Sequence, residues 1–147
     1  MSSNQVTLHR IFTAPPEKVF RAFVNPTAMA SWIAPHGFLC NMHEMDFSVG
    51  GKFRMSFTNF GTGQSHAFGG QYLEIVPNEF LKYTDVFDDP ALEGQITTSV
   101  SLRKVLCGTE LIITQVDIPA AIPAEMCYLG WQESLDKLKH LVEPNIP

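Results

Sequence analysis

The sequence lacks long apolar runs and contains few charged residues. No segment approaches the roughly 18 consecutive apolar residues of a membrane-spanning helix, so we expect no membrane span. Only 17% of the 147 residues are charged and 45% are hydrophobic, a composition that excludes disordered and fibrous proteins. A chain of this length can bury a substantial core, and we expect a single domain over residues 1–147.

Basic residues are also scarce. The chain has 10 Lys and Arg against 15 Asp and Glu, which gives a formal net charge of −5. Nucleic acids and anionic membrane surfaces attract proteins that carry excess positive charge. We therefore expect neither of them as a main partner.

Cysteine is limited to three widely spaced residues, Cys40, Cys107 and Cys127. They form no CxxC pair and no disulfide-framework pattern. The first residues, "MSSNQVTLHR", are polar and contain no apolar signal segment. We expect a protein of the reducing cytoplasm.

Known catalytic and cofactor motifs are missing as well. The sequence has no GxSxG elbow, "GGQYLE" lacks the dinucleotide glycine spacing, and "GTGQS" lacks the lysine of a phosphate loop. His36, Cys40, His43 and Glu44 are close in sequence, but Cys40 and His43 are an odd number of positions apart on a predicted strand and point to opposite faces. We expect no metal site and no cofactor.

The order of elements begins with a strand and two short helices. "VTLHRIF" alternates apolar and polar residues as a strand does. Pro15 and Pro16 suit the start of a helix, and Asn25-Pro26 is expected to end that helix and cap a second one. Pro35 and Gly37 then end the second helix.

About six strands are predicted from Phe38 to about Ile118. Turn residues separate them at Gly50-Gly51, Pro77-Asn78 and Cys107-Gly108-Thr109, which is typical of an antiparallel meander. Alternation places two sets of side chains on the inward face: Phe53, Met55 and Phe57, and Leu81, Tyr83, Asp85 and Phe87.

The segment "GWQESLDKLKHLVEP" predicts a long C-terminal helix. Its apolar stripe consists of Cys127, Trp131, Leu135, Leu138 and Val142. Gly130 and Ser134 lie beside this stripe, although glycine inside a helix costs about 1 kcal/mol relative to alanine. These small residues either let a strand approach the helix closely or leave a gap open. We therefore predict an α+β fold in which a curved antiparallel sheet wraps the helix imperfectly.

Five segments carry a family resemblance: "RIFTAPPEKVFRAFVNPTAMASWIAPHGF", Gly50-Gly51 running into "KFRM", "GGQYLEIVPNEFLKYTD", "GTELIITQ" and "GWQESLDKL". In order and spacing they resemble the START-like, helix-grip superfamily (SRPBCC), which includes polyketide cyclases and lipid-transfer domains. The nearest branch is that of homologues of the activator of heat-shock protein 90 ATPase. The resemblance implies one START-like domain, six to seven strands around the C-terminal helix, and a deep, largely apolar pocket.

Asp85 and His36 are the two residues with possible chemical roles. Asp85 lies on the predicted inward face, where it either binds a polar group of a ligand or acts as a base with a raised pKa. Alternatively, it has a structural partner such as Arg54, Tyr72 or a backbone N–H, or the twist of its strand turns the carboxylate to the rim of the pocket. His36 either contacts a ligand at the pocket mouth or holds its loop in place. We further expect Arg54 to form a structural ion pair with Glu74, while alternation leaves the direction of Gln115 open.

The predicted pocket lining combines large apolar side chains with the small helix residues and the two candidates for chemistry. The predicted ligand-binding residues are Trp32, His36, Phe53, Met55, Tyr83, Asp85, Phe87, Met126, Gly130, Trp131 and Ser134.

Three functions are compatible with this pattern. The first is binding of a small hydrophobic molecule without catalysis, for storage, transport or sensing. The second is a cyclase- or aromatase-like enzyme that uses the same pocket. The third is a module that stimulates a chaperone ATPase, which requires a basic or apolar docking patch, and the chain has no concentrated basic stretch. We favour the first function and leave a homodimer possible.

Overall fold

The computed structural model describes residues 4–147 as a seven-stranded antiparallel sheet with three helices, which confirms the predicted α+β helix-grip architecture. In chain order the elements are β1 (Asn4–Phe12), α1 (Pro16–Val24), α2 (Pro26–Trp32), β2 (Phe38–Met45), β3 (Lys52–Asn59), β4 (Ser65–Val76), β5 (Phe80–Phe87), β6 (Ile96–Val105), β7 (Gly108–Ile118) and α3 (Ala124–Val142).

The sheet follows the chain closely. Its strand order is β1-β7-β6-β5-β4-β3-β2. Each strand from β2 to β6 therefore pairs with the strand that follows it in the chain, and β1 pairs with the other edge of β7. This is the predicted meander of hairpins. The turn before β7 is formed by Leu106 and Cys107, and β7 already begins at Gly108, two residues earlier than the expected turn allows.

The two short helices are divided where the sequence predicts. Pro16 opens α1, where the missing N–H of proline does no harm. Asn25 ends α1 and caps α2, because its Oδ1 accepts a hydrogen bond from the Ala28 N–H at 3.0 Å. The predicted cap is therefore confirmed.

The long helix α3 packs mainly against β1, α1 and α2. Its buried residues are Trp131, Ser134, Leu135, Leu138 and Val142, as the apolar stripe predicts. Arg10 of β1 fixes the outer side of the helix, since it pairs with Asp136 at 2.9 Å and donates to the Gln132 side chain and carbonyl. The helix is thus held at one side of the sheet, and space remains between it and the middle strands.

The expected ion pair between Arg54 and Glu74 is wrong. Arg54 lies opposite Gly69 on β4, whereas Glu74 lies farther along β4, opposite Lys82 of β5. Arg54 instead forms a two-pronged pair with Asp88, just after β5. No helix within residues 4–147 is both long and apolar enough to cross a membrane.

Gly70 lies where the backbone of β5 closely approaches β4. A Cβ added to it would lie 1.6 Å from the Thr84 carbonyl oxygen, which is backbone and cannot move aside cheaply. We predict that Gly70→Ala lowers the free energy of unfolding by about 3 kcal/mol, through the overpacking it forces. Gly61→Ala is the control, because its Cβ meets only Asn59 Oδ1 at 3.4 Å. Urea denaturation of both variants checks this; equal stabilities would contradict it.

Candidate functional site

A cavity of about 880 Å³ lies between α3 and the inner face of the sheet. Its size is within the range of small-molecule sites. Exposed Met126, at the start of α3, marks its open end. The sheet contributes Met42, Met45, Phe53, Met55, Phe57, Phe68, Tyr72, Leu81, Tyr83, Asp85, Phe87, Ile96 and Gln115, and α3 contributes Met126, Cys127, Gly130, Trp131 and Ser134.

Aromatic rings on neighbouring strands form much of the wall. Phe57 and Phe68 meet edge to face with centroids 5.0 Å apart, and Phe53 and Tyr83 do so at 5.7 Å. Phe53 also lies 5.4 Å from Tyr72. Such contacts favour fixed ring positions.

Gly130 and Ser134 have different roles in this wall. A Cβ on Gly130 would have one neighbour within 4 Å, the Pro35 Cβ at 4.0 Å, so the glycine borders open space and no strand packs against it. Ser134 is buried, and its hydroxyl donates to the Ile33 carbonyl at 2.7 Å. Ser134 therefore connects α3 to the end of α2, while Gly130 leaves the gap open.

Asp85 occupies the inner face of β5 and is 7% exposed. Its Oδ2 accepts a long hydrogen bond from the Thr98 hydroxyl at 3.5 Å, and Gln115 Nε2 in turn donates to Thr98 Oγ1 at 3.0 Å. Burial raises the pKa of Asp85 to about 7, and the bond from Thr98 opposes this only in part. Arg54, one of the possible partners considered for Asp85, pairs with Asp88 instead.

Two tyrosines lie near this carboxyl group. Burial raises the pKa of Tyr72 and of Tyr83 above the usual range, and the charge of Asp85 raises both further. Both phenols consequently stay protonated at neutral pH. They offer polar O–H groups and aromatic surface beside Asp85.

Trp32 was predicted to line the cavity, and this is wrong. Its side chain is completely buried between the two short helices, where it packs edge to face on Phe23 at 4.8 Å. The indole Nε1 donates to the Ala22 carbonyl at 3.0 Å. The polar atom that made Trp32 a candidate is therefore satisfied within the helical pair.

His36 was also expected at the pocket, but it lies outside the wall, and Pro35 takes that place. Its side chain is 60% exposed, and its backbone N–H donates to Glu133 Oε1 at 3.1 Å. These contacts attach the loop after α2 to the outer side of α3. They agree with the alternative in which His36 holds its loop in place.

The other nine predicted residues do border the cavity: Phe53, Met55, Tyr83, Asp85, Phe87, Met126, Gly130, Trp131 and Ser134. Their part in binding stays a prediction. Tyr72 was missed as a lining residue, although it shares the alternation of Phe68 on β4. Leu92 and Ile122 were missed because they lie in connections without a periodic pattern.

Charged groups in the cavity wall are almost all acidic. Asp85, Asp88 and Asp89 contribute carboxyl groups and His66 an imidazole, whereas neither lysine nor arginine lines the cavity in the part of the chain that the structure describes. Across residues 4–147, no three His, Cys, Asp or Glu side chains converge as a set of metal ligands.

Comparison with solved structures places this architecture among known proteins. A crystal structure of protein CV1439 from Chromobacterium violaceum is 53% identical, covers 97% of this chain and 99% of its own, and superposes with a TM-score of 0.96. Protein NE0264 from Nitrosomonas europaea, 20% identical over 94% of this chain and 93% of its own, has a TM-score of 0.81. A protein from Arthrobacter aurescens, 19% identical over 97% of this chain and 88% of its own, also has 0.81.

A search of curated proteins finds no significant match. The sequence model of the family described as Activator of Hsp90 ATPase homolog 1-like protein matches residues 13–143, which is nearly the whole chain. The arrangement of sheet and long helix described above is thus that of a known family, and this chain belongs to the Activator of Hsp90 ATPase homolog 1-like proteins.

Proposed function

We propose that the protein binds a small, mostly apolar molecule in the cavity between α3 and the sheet, for storage, transport or sensing. The observation that carries the proposal is the cavity itself, about 880 Å³ of space within walls built from aromatic and methionine side chains. Water gains few hydrogen bonds in such a space, so an apolar guest of matching size is favoured over it. The flexible side chains of Met42, Met45 and Met55 in the cavity wall can adapt to the shape of the ligand.

Titration with N-phenyl-1-naphthylamine, a neutral probe that fluoresces strongly in apolar surroundings, tests this proposal. We expect saturable, one-to-one binding to the purified protein under native conditions. A signal that does not saturate, or that appears only on unfolding, would contradict binding in a defined cavity. Native mass spectrometry of protein purified from its own cells then searches for the bound mass of the natural ligand.

A proton-transfer enzyme of the cyclase or aromatase kind is the second candidate, because Asp85 combines burial in an apolar wall with a pKa of about 7. A carboxyl group with this pKa can accept a proton at neutral pH. Elimination of 5-nitrobenzisoxazole measures such a base directly: the carboxylate takes the ring C–H proton, the C–H electron pair forms a nitrile, and the N–O bond breaks. The single product is a ring-opened cyano-nitrophenolate. We expect a rate that rises through about pH 7 in the wild type and is lost in Asp85→Asn. A rate that does not change in the variant would contradict an enzymatic role for Asp85.

Contact with a chaperone is a further proposal that rests on the name of the family. The ATPase rate of the host's Hsp90-type chaperone, measured with and without this protein, decides it. An unchanged rate would leave ligand binding as the function. The cytoplasmic location and the homodimer stay predictions. Sedimentation analysis measures the oligomeric state.

A further inference from the structure

The polar groups around the cavity differ in whether their charge is already compensated. Asp88 is paired with Arg54, and Asp89 accepts a hydrogen bond from the Ala91 N–H at 2.9 Å within its own loop. Asp85 forms no ion pair with any side chain of residues 4–147. Its Oδ2 has only the long bond from Thr98, and no hydrogen bond reaches Oδ1 from residues 4–147.

Among residues 4–147, every fully buried side-chain nitrogen or oxygen atom has a hydrogen-bond partner. Asp85 Oδ1 has no such partner and therefore keeps some accessible surface, and because Asp85 lines the cavity, this surface faces the cavity. This oxygen is therefore available to a hydrogen-bond donor of a molecule in the cavity.

Aromatic rings surround the same end of the cavity. The centroids of Phe53, Tyr72 and Tyr83 are 5.4 to 6.3 Å from one another, and all three side chains line the wall. A carboxylate beside several rings is an arrangement that attracts organic cations, because ring faces carry negative potential. Anionic ligands such as fatty acids are disfavoured here, since no lysine or arginine of residues 4–147 lines the cavity to compensate a second negative charge.

We propose that the ligand class is an amphipathic organic ammonium ion, whose apolar body fills the cavity and whose N–H donates to Asp85 Oδ1 beside Phe53, Tyr72 and Tyr83. This inference rests on the proposed function and specifies the ligand of that same site.

Ammonium binding favours the ionised form of Asp85, so the affinity depends on pH. Burial holds the pKa of Asp85 at about 7 in the free protein, and Tyr72, Tyr83 and Cys127, which also face the cavity, have pKa values raised by burial and remain neutral at pH 8. Thr98 and Gln115 on the neighbouring strands are uncharged, and Asp88, Asp89 and His66 line the cavity elsewhere. An alkylamine stays protonated below about pH 9. Its affinity is therefore expected to increase from pH 6 to pH 8.

Displacement of bound N-phenyl-1-naphthylamine by three ligands with the same ten-carbon chain tests the inference. At pH 8 we expect decylamine to displace the probe at a concentration about tenfold or more below that of decanol, with decanoate weakest of the three. In Asp85→Asn the preference for the amine and its pH dependence should disappear while the probe itself still binds. The control Asp117→Asn removes a carboxyl group on the exposed side of β7, outside the cavity wall, and should retain the preference.

Two failures can be distinguished. Absence of probe binding by the wild-type protein overturns the proposed function and this inference together. Normal probe binding overturns the inference alone if decanoate competes as well as decylamine does, or if the preference for the amine persists in Asp85→Asn.

Discussion

Replacing Asp85 with asparagine is expected to raise the free energy of unfolding at pH 8 by about 4 kcal/mol while leaving it nearly unchanged at pH 4. The pKa of Asp85 is raised from 3.8 to about 7 by burial, so the folded protein holds a proton that the unfolded chain releases over this range. The free energy of unfolding of the wild type therefore falls as pH rises from about 4 to about 7. Above about pH 7 the buried carboxylate is charged and the whole destabilisation is present. Asparagine has nearly the same shape and carries no charge.

Urea denaturation of wild type and Asp85→Asn at pH 4, 6 and 8 measures this difference. Asp117→Asn, which removes a carboxyl group on the exposed side of β7, serves as the matched control and should follow the wild type at all three values. A constant difference between Asp85→Asn and wild type across the range would show that Asp85 titrates as an exposed group. In that case its burial, and its place in the cavity wall, would be contradicted.

A series of larger side chains at Gly130 is expected to change stability and ligand affinity in opposite directions. Gly130→Ala should gain about 1 kcal/mol, because alanine favours the helix and its Cβ meets only Pro35 at 4.0 Å. Gly130→Leu and Gly130→Phe should gain further through apolar contact with the wall. The same side chains occupy ligand space, and we expect N-phenyl-1-naphthylamine to bind at least about tenfold more weakly to Gly130→Phe.

His140 provides the control series on the exposed side of the same helix. His140→Ala, His140→Leu and His140→Phe should leave probe affinity unchanged. Loss of stability along the Gly130 series would mean that the space beside Gly130 is already filled. Unchanged affinity in Gly130→Phe would place the probe elsewhere on the protein.

Much of the fold could be predicted from local patterns. Strand alternation has a period of two, so it assigns Phe53, Met55 and Asp85 to the inner face without knowledge of the neighbouring strands. Proline and asparagine at positions 16 and 25 fix the helix ends, because their preferences act over a few residues. The apolar stripe of α3 likewise gives the buried side of the helix directly.

The predictions that were wrong concern contacts between segments that are distant in sequence. The register of β3, β4 and β5 decides that Arg54 meets Asp88 and not Glu74, and alternation carries no information on register. Trp32 combines a large apolar surface with one hydrogen-bond donor, as cavity residues do. Its indole N–H, however, donates to the Ala22 carbonyl of the preceding helix. His36 lies in a loop, where no period predicts its direction.

The gap beside Gly130 illustrates what a single sequence leaves undecided. Small residues on a helix are compatible both with a close approach of a strand and with an open space. The amino-acid sequence is the same in the two cases. The difference arises from where α3 is anchored: Arg10 on β1 and the Ile33 carbonyl at the end of α2 hold it at one side of the sheet. The middle strands are thereby left without a packing partner along Gly130.

The most direct test is a crystal structure of the wild-type protein under xenon pressure, because xenon enters dry apolar cavities that are already open. We predict xenon density between α3 and the inner face of the sheet, in contact with Met55, Phe57 and Trp131, with no shift of the helix. Side chains that fill this volume and leave no xenon there would contradict the account.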